Sequence, residues 1–288
     1  MPRLTRFFRL LLLLVPAAVA ARADEPPIIA KARAFLGSEE ALSAVKSVHL
    51  QGTFLAGDPQ QAAKATPSSV DIIFQKPYQQ HMIVSSKEGV RTLALDGYDG
   101  WERLQFPATN PNPTLRLLIP DQIRVLRADV WENLGYYRGL EAEGGQVKDE
   151  GPATIDGVAC EKIAFIHGWA LDGTPNPAYY RYFDQATGRL VHTETSGGLE
   201  IREEGEQTVS GIRFPRRIVS SRKANGASST ETTLTLDKVT INEVFPASLF
   251  AVPLPSTEPA PPSEGVPAAA ASAAPAAPAP AASPAAAR

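Results

Sequence analysis

The chain has 288 residues, 28 Lys+Arg against 31 Asp+Glu, a formal charge of −3 and one cysteine. That length holds one or two domains. The slight acidity excludes the basic domain a nucleic-acid binder needs, and a lone cysteine excludes an internal disulfide, a redox Cys pair and a Cys-rich zinc site.

The two ends read as something other than fold. Residues 1–23 have the pattern of a secretory signal peptide: Arg3, Arg6 and Arg9, then an apolar run from Leu10 to Ala21, then Ala21-Arg22-Ala23 as a small-x-small cleavage site. The apolar run of about 12 residues is short of the roughly 20 a membrane span needs, so an uncleaved anchor is the weaker alternative. Removing this segment takes away four arginines and no acid, leaving 24 Lys+Arg against 31 Asp+Glu. At the other end, 24 of the 34 positions in 255–288 are Ala or Pro. Such a segment cannot bury enough apolar surface to offset its ordering entropy, and its prolines interrupt an Ala helix. It reads as a disordered tail, a spacer or tether. What remains, 24–254, is one domain.

The first elements are helical. Ile28, Ala32 and Phe35 recur at helical spacing after Pro27, Gly37 stops the helix, and Ser38 caps a second short one through Ala41, Leu42 and Val45. The period then changes to two. Strands are predicted at Val48–Phe54, Val70–Phe74, Gln80–Ser85, Val90–Asp96 and Trp101–Leu104, at roughly ten-residue intervals, as in an antiparallel meander. Pro111 to Pro113 read as an extended loop. Pro120 opens the longest helix, with Ile119, Ile123, Leu126, Val130, Leu134 and Tyr137 on one stripe and Arg124, Arg127, Asp129 and Glu132 mostly off it. A second meander follows: Val158–Ile166, Tyr179–Asp184, a tight turn through Gly188, Leu190–Thr195, Leu199–Glu203, Ile212–Ser220 and Thr230–Ile241. Pro215 implies an edge or a bulge, and Asn242–Phe250 closes the domain. The predicted class is mainly β (α+β): about 10–11 strands, more than a flat sheet holds, in a strongly curved antiparallel sheet with helices covering its concave face.

Little here carries chemistry. No HExxH, GxSxG, Walker A or strand-borne GxGxxG occurs. Ser-x-x-Lys occurs twice, at Ser43–Lys46 and Ser220–Lys223, without the accompanying motifs, and reads as coincidence. His49, His81, His167 and His192 are scattered, so no local metal pair exists. Cys160 alternates onto a strand face as a buried, inert thiol. Carboxylate pairs such as Glu39-Glu40 and Glu203-Glu204 read as solvated surface. No catalytic residue, metal or cofactor is assigned, and no enzyme is expected. The aromatic and aliphatic set is the remaining candidate. Phe54, Phe74, Trp101, Ile123, Leu126, Val130, Leu134, Phe165 and Tyr182 are either plain core or the lining of an apolar cavity between helix and sheet.

The ordered series Val48–Phe54, Ile73-Phe74-Gln75-Lys76-Pro77, Asp96-Gly97-Tyr98-Asp99-Gly100-Trp101, the long helix, Ile155-Asp156-Gly157-Val158, Tyr182-Phe183-Asp184, Gly211-Ile212-Arg213-Phe214-Pro215 and Phe250-Ala251-Val252-Pro253 resembles the LolA/LolB-like outer-membrane lipoprotein sorting superfamily over nearly all of Ile28 to Pro253. That superfamily also includes the N-terminal domain of a periplasmic stress-sensing anti-sigma partner. The resemblance implies an unclosed β-barrel with lid helices and a cavity for lipoprotein acyl chains, and it makes Arg124 and Arg127 candidates for a lid-locking contact. The Ala/Pro tail departs from the family pattern. The implied protein is periplasmic and monomeric, with lipid acyl chains or a lipoprotein as ligand, envelope proteins as further partners, no nucleic acid, and no membrane span once mature. The alternative is a non-enzymatic envelope interaction or sensor module with a filled core.

Overall fold

The computed structural model describes residues 25–57, 66–106, 110–166, 179–224 and 227–253, so the signal-like segment and the Ala/Pro tail lie outside the described residues. Helix α1 (Pro27–Leu36) buries Ile29, Ala32 and Arg33, and Gly37 ends it. Helix α2 (Glu39–Ser43) starts at Ser38, whose Oγ accepts the Ala41 N–H at 3.1 Å, as a capping serine should. The first meander comprises β1 (Ser47–Ala56), β2 (Ser68–Gln75), β3 (Gln79–Ser86), β4 (Gly89–Asp96), β5 (Asp99–Phe106) and β6 (Asn110–Leu117). Helix α3 (Pro120–Gly135) and a 3₁₀ turn (Leu140–Glu143) lead into β7 (Gln146–Ile155), β8 (Val158–Ile166), β9 (Tyr179–Asp184), β10 (Leu190–Thr195) and β11 (Leu199–Glu204). A small hairpin, β12 (Gln207–Val209) and β13 (Ile212–Phe214), precedes β14 (Arg217–Ala224) and β15 (Ala227–Ile241).

Thirteen of these strands form one antiparallel sheet in the order β6-β5-β4-β3-β2-β1-β15-β14-β11-β10-β9-β8-β7, and β12 with β13 form a separate pair. The two meanders are joined in the middle, where β15 pairs with β1. The outer strands β6 and β7 are not bonded to each other, so the barrel is unclosed. In sequence, α3 bridges these two free edges, and it packs on β2, β3 and β4.

The sheet has more strands than the pattern of alternation predicts, and the extra ones sit at its rims. β6 occupies the stretch read as a proline loop: at an edge, a proline lacking its N–H costs no ladder bond. β7 is polar and has no fully buried position, with a bulge between Asp149 and Gly151, so it has no apolar alternation to read. Pro215 divides the single strand expected at Ile212–Ser220 into β13 and β14, and its two halves belong to different sheets.

Register assigns the faces. Val48, Phe74 and Leu95 belong to the face packed by α2 and α3, with Val130, Leu134, Tyr136, Leu42, Val45, Ile212, Leu236 and Val239 in the same core. A second core lies under α1: Ile29 and Ala32 meet Ile163, Phe165 and Phe183, with Ala128 and Leu140. Each of the larger apolar side chains taken out of water contributes about 1.5–3 kcal/mol. Two close approaches set the helices down. A Cβ on Gly100 would come within 2.9 Å of Leu118 and 3.2 Å of Ile123, so glycine lets the start of α3 lie on β5. Gly188, at φ +79, would meet the Lys31 backbone at 2.6 Å, so the β9–β10 turn can dock under α1.

The opposite face carries its own row. His49, Ile73, His81, Ala94 and Trp101 are paired in register across β1 to β5. The segment after β15 covers this row: Phe250 is fully buried, and the Trp101 indole N–H donates to its carbonyl at 2.9 Å.

Candidate functional site

The lid is built from α1, α2, α3 and the β12–β13 hairpin. Among the described residues, no backbone hydrogen bond joins the three helices to the sheet. Side chains do that work. Arg127, buried on α3, stacks on Tyr78 at 3.7 Å and Tyr98 at 4.0 Å and donates to the Gly97 carbonyl at 3.0 Å. It therefore fastens the helix to the turns at the end of β2–β5. Arg124 does not: it lies on the exposed side of its own helix and pairs there at 2.9 Å with Asp121, one turn back.

The second fastener is Arg33. It is 4% exposed, donates to the Tyr136 carbonyl at 2.8 Å and to the Gly135 carbonyl, and makes a forked pair with Glu39 at 2.9 and 2.6 Å. One guanidinium thus ties α1, α2 and the end of α3 together. The same bonds lower the pKa of the Glu39 carboxyl, with burial pulling the other way. The sequence does carry a signal for this residue: Arg33 falls at i+4 from Ile29, inside the apolar stripe of α1.

α3 ends at the seam between the two cores. Tyr136 and Tyr137 both take left-handed backbone, at φ 49 and 74, which is uncommon for bulky side chains and holds only when the surroundings fix it. What fixes it is their division of labour: the Tyr136 ring enters the α3 core, and the Tyr137 ring packs edge-on against Phe183 at 5.0 Å in the α1 core. Burial pushes both phenols well above the ordinary tyrosine value.

Beneath this seam lies a cavity of about 130 Å³. Leu36, Val48, Leu50, Ile218 and Leu236 give it an apolar wall, and Glu132, Arg181, Glu203 and Arg213 a charged one. Arg181 belongs to the inner face because it pairs in register with Ile163 and Thr193. Its guanidinium sits 5.1, 4.9 and 4.8 Å from the rings of Tyr137, Phe165 and Tyr179 and pairs with Glu132 of α3. Glu203 keeps solvent access at the rim, yet surrounding protein raises its carboxyl pKa, with Arg181 pulling the other way. A larger hollow of about 560 Å³ opens at the surface between the end of α1, the start of α2 and the β12–β13 hairpin. Leu36 and Arg213 line both hollows, so these two side chains form the partition.

None of the nine residues predicted to line a cavity lines this one. Phe74, Val130 and Leu134 are filled core of the first cluster, Ile123 and Leu126 pack at its margin, and Phe165 belongs to the second. Phe54 lies on the inner face near the far end of β1, paired with Leu234. Trp101 and Tyr182 are on the other side of the sheet: Trp101 in the outer row under Phe250, and Tyr182 in register with Lys162 and His192. Each sits one position out of step with its inner-facing neighbours, Gly100 and Glu102 on β5 and Arg181 and Phe183 on β9, and an alternation of two leaves no intermediate. Tyr182 donates to Glu194 at 2.9 Å, and burial with that bond pushes its phenol up to about 12. On α3, Ile119 is 60% exposed and precedes the helix, while Glu132 and Arg127 are buried despite lying off the stripe, each paired as above. His49, His81 and His192 all lie on the outer face; His167 lies outside the described residues. Cys160 is fully buried, which raises its thiol pKa.

No family model matches the sequence, and no curated protein matches it. Solved structures do align with the fold. A LolA superfamily protein from Nitrosomonas europaea is 14% identical, with 77% of this chain and 97% of that one covered and a TM-score of 0.49. A DUF1329 family protein from Desulfovibrio piger is 11% identical over 78% and 95%, with a TM-score of 0.48. A domain from Vibrio parahaemolyticus described as outer membrane lipoprotein-sorting is 10% identical over 77% and 94%, with a TM-score of 0.40.

Proposed function

We propose that this is an exported, periplasmic, non-enzymatic binding protein that takes an acyl chain of a lipid or lipoprotein between the inner face of the sheet and its lid, acting as a monomer. The carrying observation is the seam cavity: an apolar wall under the end of α3, beneath helices that, among the described residues, meet the sheet through side chains and not through backbone hydrogen bonds. With the lid down, about 130 Å³ is less than the roughly 150 Å³ cavity that holds one benzene and well under the 300–1,000 Å³ of ordinary ligand pockets. A whole chain therefore enters only as α3 lifts from Phe74 and Leu95. Each methylene buried returns about 0.8 kcal/mol, so ten or so provide the means to hold the lid open.

The same cavity size favours a second reading, an envelope interaction or sensor module whose interior stays filled. Native mass spectrometry of the full chain isolated from periplasm, followed by uptake of a fluorescent fatty acid, separates the two. Co-purifying acyl lipid, with uptake abolished by Ile218→Trp in a variant that still folds, supports binding. An empty protein that takes up no probe sinks it and leaves the second reading.

A further inference from the structure

The outer face of the sheet holds a feature the proposed function does not use. His49 on β1 lies between two carboxylates: its Nε2 is 3.0 Å from Asp71 Oδ2 on β2, and its Nδ1 is 3.0 Å from Glu243 Oε2 in the segment that follows β15. An ionised carboxylate only accepts hydrogen bonds, so both ring nitrogens must donate, and only the imidazolium carries two N–H groups. Phe245 of the same segment packs edge-on against the ring, centroids 5.4 Å apart. The His49 side chain is only 11% exposed.

Glu243 belongs to a strap. Asn242 N–H donates to the Ser47 carbonyl at 2.9 Å, Lys46 N–H to Asn242 Oδ1 at 2.7 Å, and Ser47 Oγ–H to the Glu243 carbonyl at 2.6 Å. Phe245 N–H reaches Gln75 Oε1 at 3.3 Å, and the strap ends with Phe250 buried over His81 and Trp101. Beyond the one backbone bond at Asn242, the strap is held to the outer face through side chains rather than by a strand ladder, and it leads to the Ala/Pro segment that begins at 255.

We propose that protonated His49 is a latch fastening the 242–250 strap to the outer face of the sheet, and that loss of its ring proton loosens the strap and uncovers the Trp101 row. A neutral ring turns one lone pair toward a carboxylate oxygen, so one of the two contacts changes from attraction to repulsion. The groups that face the ring set this balance. From β2, Asp71 also accepts from Gln51 Nε2 at 2.9 Å. From the strap, Glu243 also accepts from Thr240 Oγ1 at 3.0 Å and feels Lys238 of β15. From β3, His81 lies near enough to feel Asp71, but its own burial outweighs that and lowers its pKa. Burial, the largest single influence on His49, works against its charge; the two carboxylates together outweigh it, and the pKa stands above the ordinary histidine value. A raised pKa in the folded state means the latch is fully engaged below the unfolded value of about 6.5 and is lost as pH rises through the folded value.

The test uses the full chain. Ring NMR gives the titration of His49, and hydrogen exchange, corrected for the intrinsic pH dependence, gives amide protection in 242–250. The expected result is a His49 midpoint above 6.5 and strap protection that falls on the same midpoint, about tenfold for each unit of elevation, while β8 and β9 amides hold steady. His49→Gln removes the pH dependence and leaves the strap loose throughout. Should that variant fail to fold, Glu243→Gln carries the test: the His49 midpoint drops and the strap loosens at low pH. A midpoint at or below the ordinary value, strap protection indifferent to the titration, or variants that exchange like the parent would each overturn the latch.

Discussion

The two cores under the lid are made of different material. The α3 core is chiefly aliphatic, with Leu42, Val45, Val48, Leu95, Val130, Leu134, Leu236 and Val239 around Phe74 and Tyr136. The α1 core is richer in rings: Phe183 packs on Tyr137, and Tyr137, Phe165 and Tyr179 surround the Arg181 guanidinium, whose partner Glu132 comes from α3. Aliphatic packing tolerates changes of shape that keep volume, whereas stacked rings and an enclosed ion pair accept one geometry. α3 takes part in both: its aliphatic side is where it would part from the sheet under the proposed function, and the Glu132–Arg181 pair tethers it to the other core, with the cavity at the boundary.

Core truncations break this comparison most forcefully. Phe183→Ala costs about 3–5 kcal/mol and Leu134→Ala about 2–5 kcal/mol in denaturant unfolding, since both side chains are fully buried. The cores share no residue, so the double variant should lose the sum to within about 0.5 kcal/mol. A coupling well beyond that would show one core where two are described. Arg33→Leu comes next, at about 1.5–3 kcal/mol for its charged hydrogen bonds. Because Arg33 joins α1 to the end of α3, its loss should also speed hydrogen exchange in α3 more than in β8. Equal effects on both would remove Arg33 as the tie between the lid's parts.

What the sequence showed of this architecture depends on where side chains are buried on one face only. The curved antiparallel sheet, the Ser38 cap, the helix opened by Pro120 and the Gly188 turn were all legible, because each rests on local periodicity or turn chemistry. The edge strands β6 and β7 were not: proline and charge suit an edge, and at an edge they erase the alternation that marks a strand. The site was least legible. Trp101 and Tyr182 look like lining because aromatic residues on strands are buried on either face, and here the strap buries Trp101 and the Lys162, His192 and Glu194 side chains surround Tyr182 on the outer face. Nothing local marks Arg181 or Glu203 as facing inward; only register across β8 to β14 does that.

Acid should discriminate between the halves less strongly. Glu102, 3% exposed on β5, accepts from Arg91 Nε at 2.6 Å and from Arg116 Nε of the edge strand β6. Burial works to raise its pKa, and the two guanidinium bonds overcome that and hold it below the usual value. A lowered pKa contributes stability above the unfolded value of about 4.5, and that stability is lost as pH falls through the folded value. Glu102→Gln should therefore narrow the stability difference between pH 7 and pH 3, with increased exchange confined to β4–β6. An unchanged acid profile would mean that the edge is held by its backbone ladder alone.

The smallest effect is expected at α2. Five residues cannot sustain a helix in isolation, so α2 persists because Leu42 is buried in the α3 core and because Ser38 satisfies its first turn. Ser38→Ala removes the bond to the Ala41 N–H and should cost about 1 kcal/mol, whereas Leu42→Ala should cost about 2–5 kcal/mol. The pairing matters more than either value. If the cap is local, Ser38→Ala leaves the Arg33–Glu39 fork and the aromatic core untouched, and near-UV circular dichroism is unchanged. If instead the loss approaches that of Leu42→Ala, the start of α2 is what positions Glu39 for Arg33, and the lid is tied through its shortest helix rather than through the arginine alone.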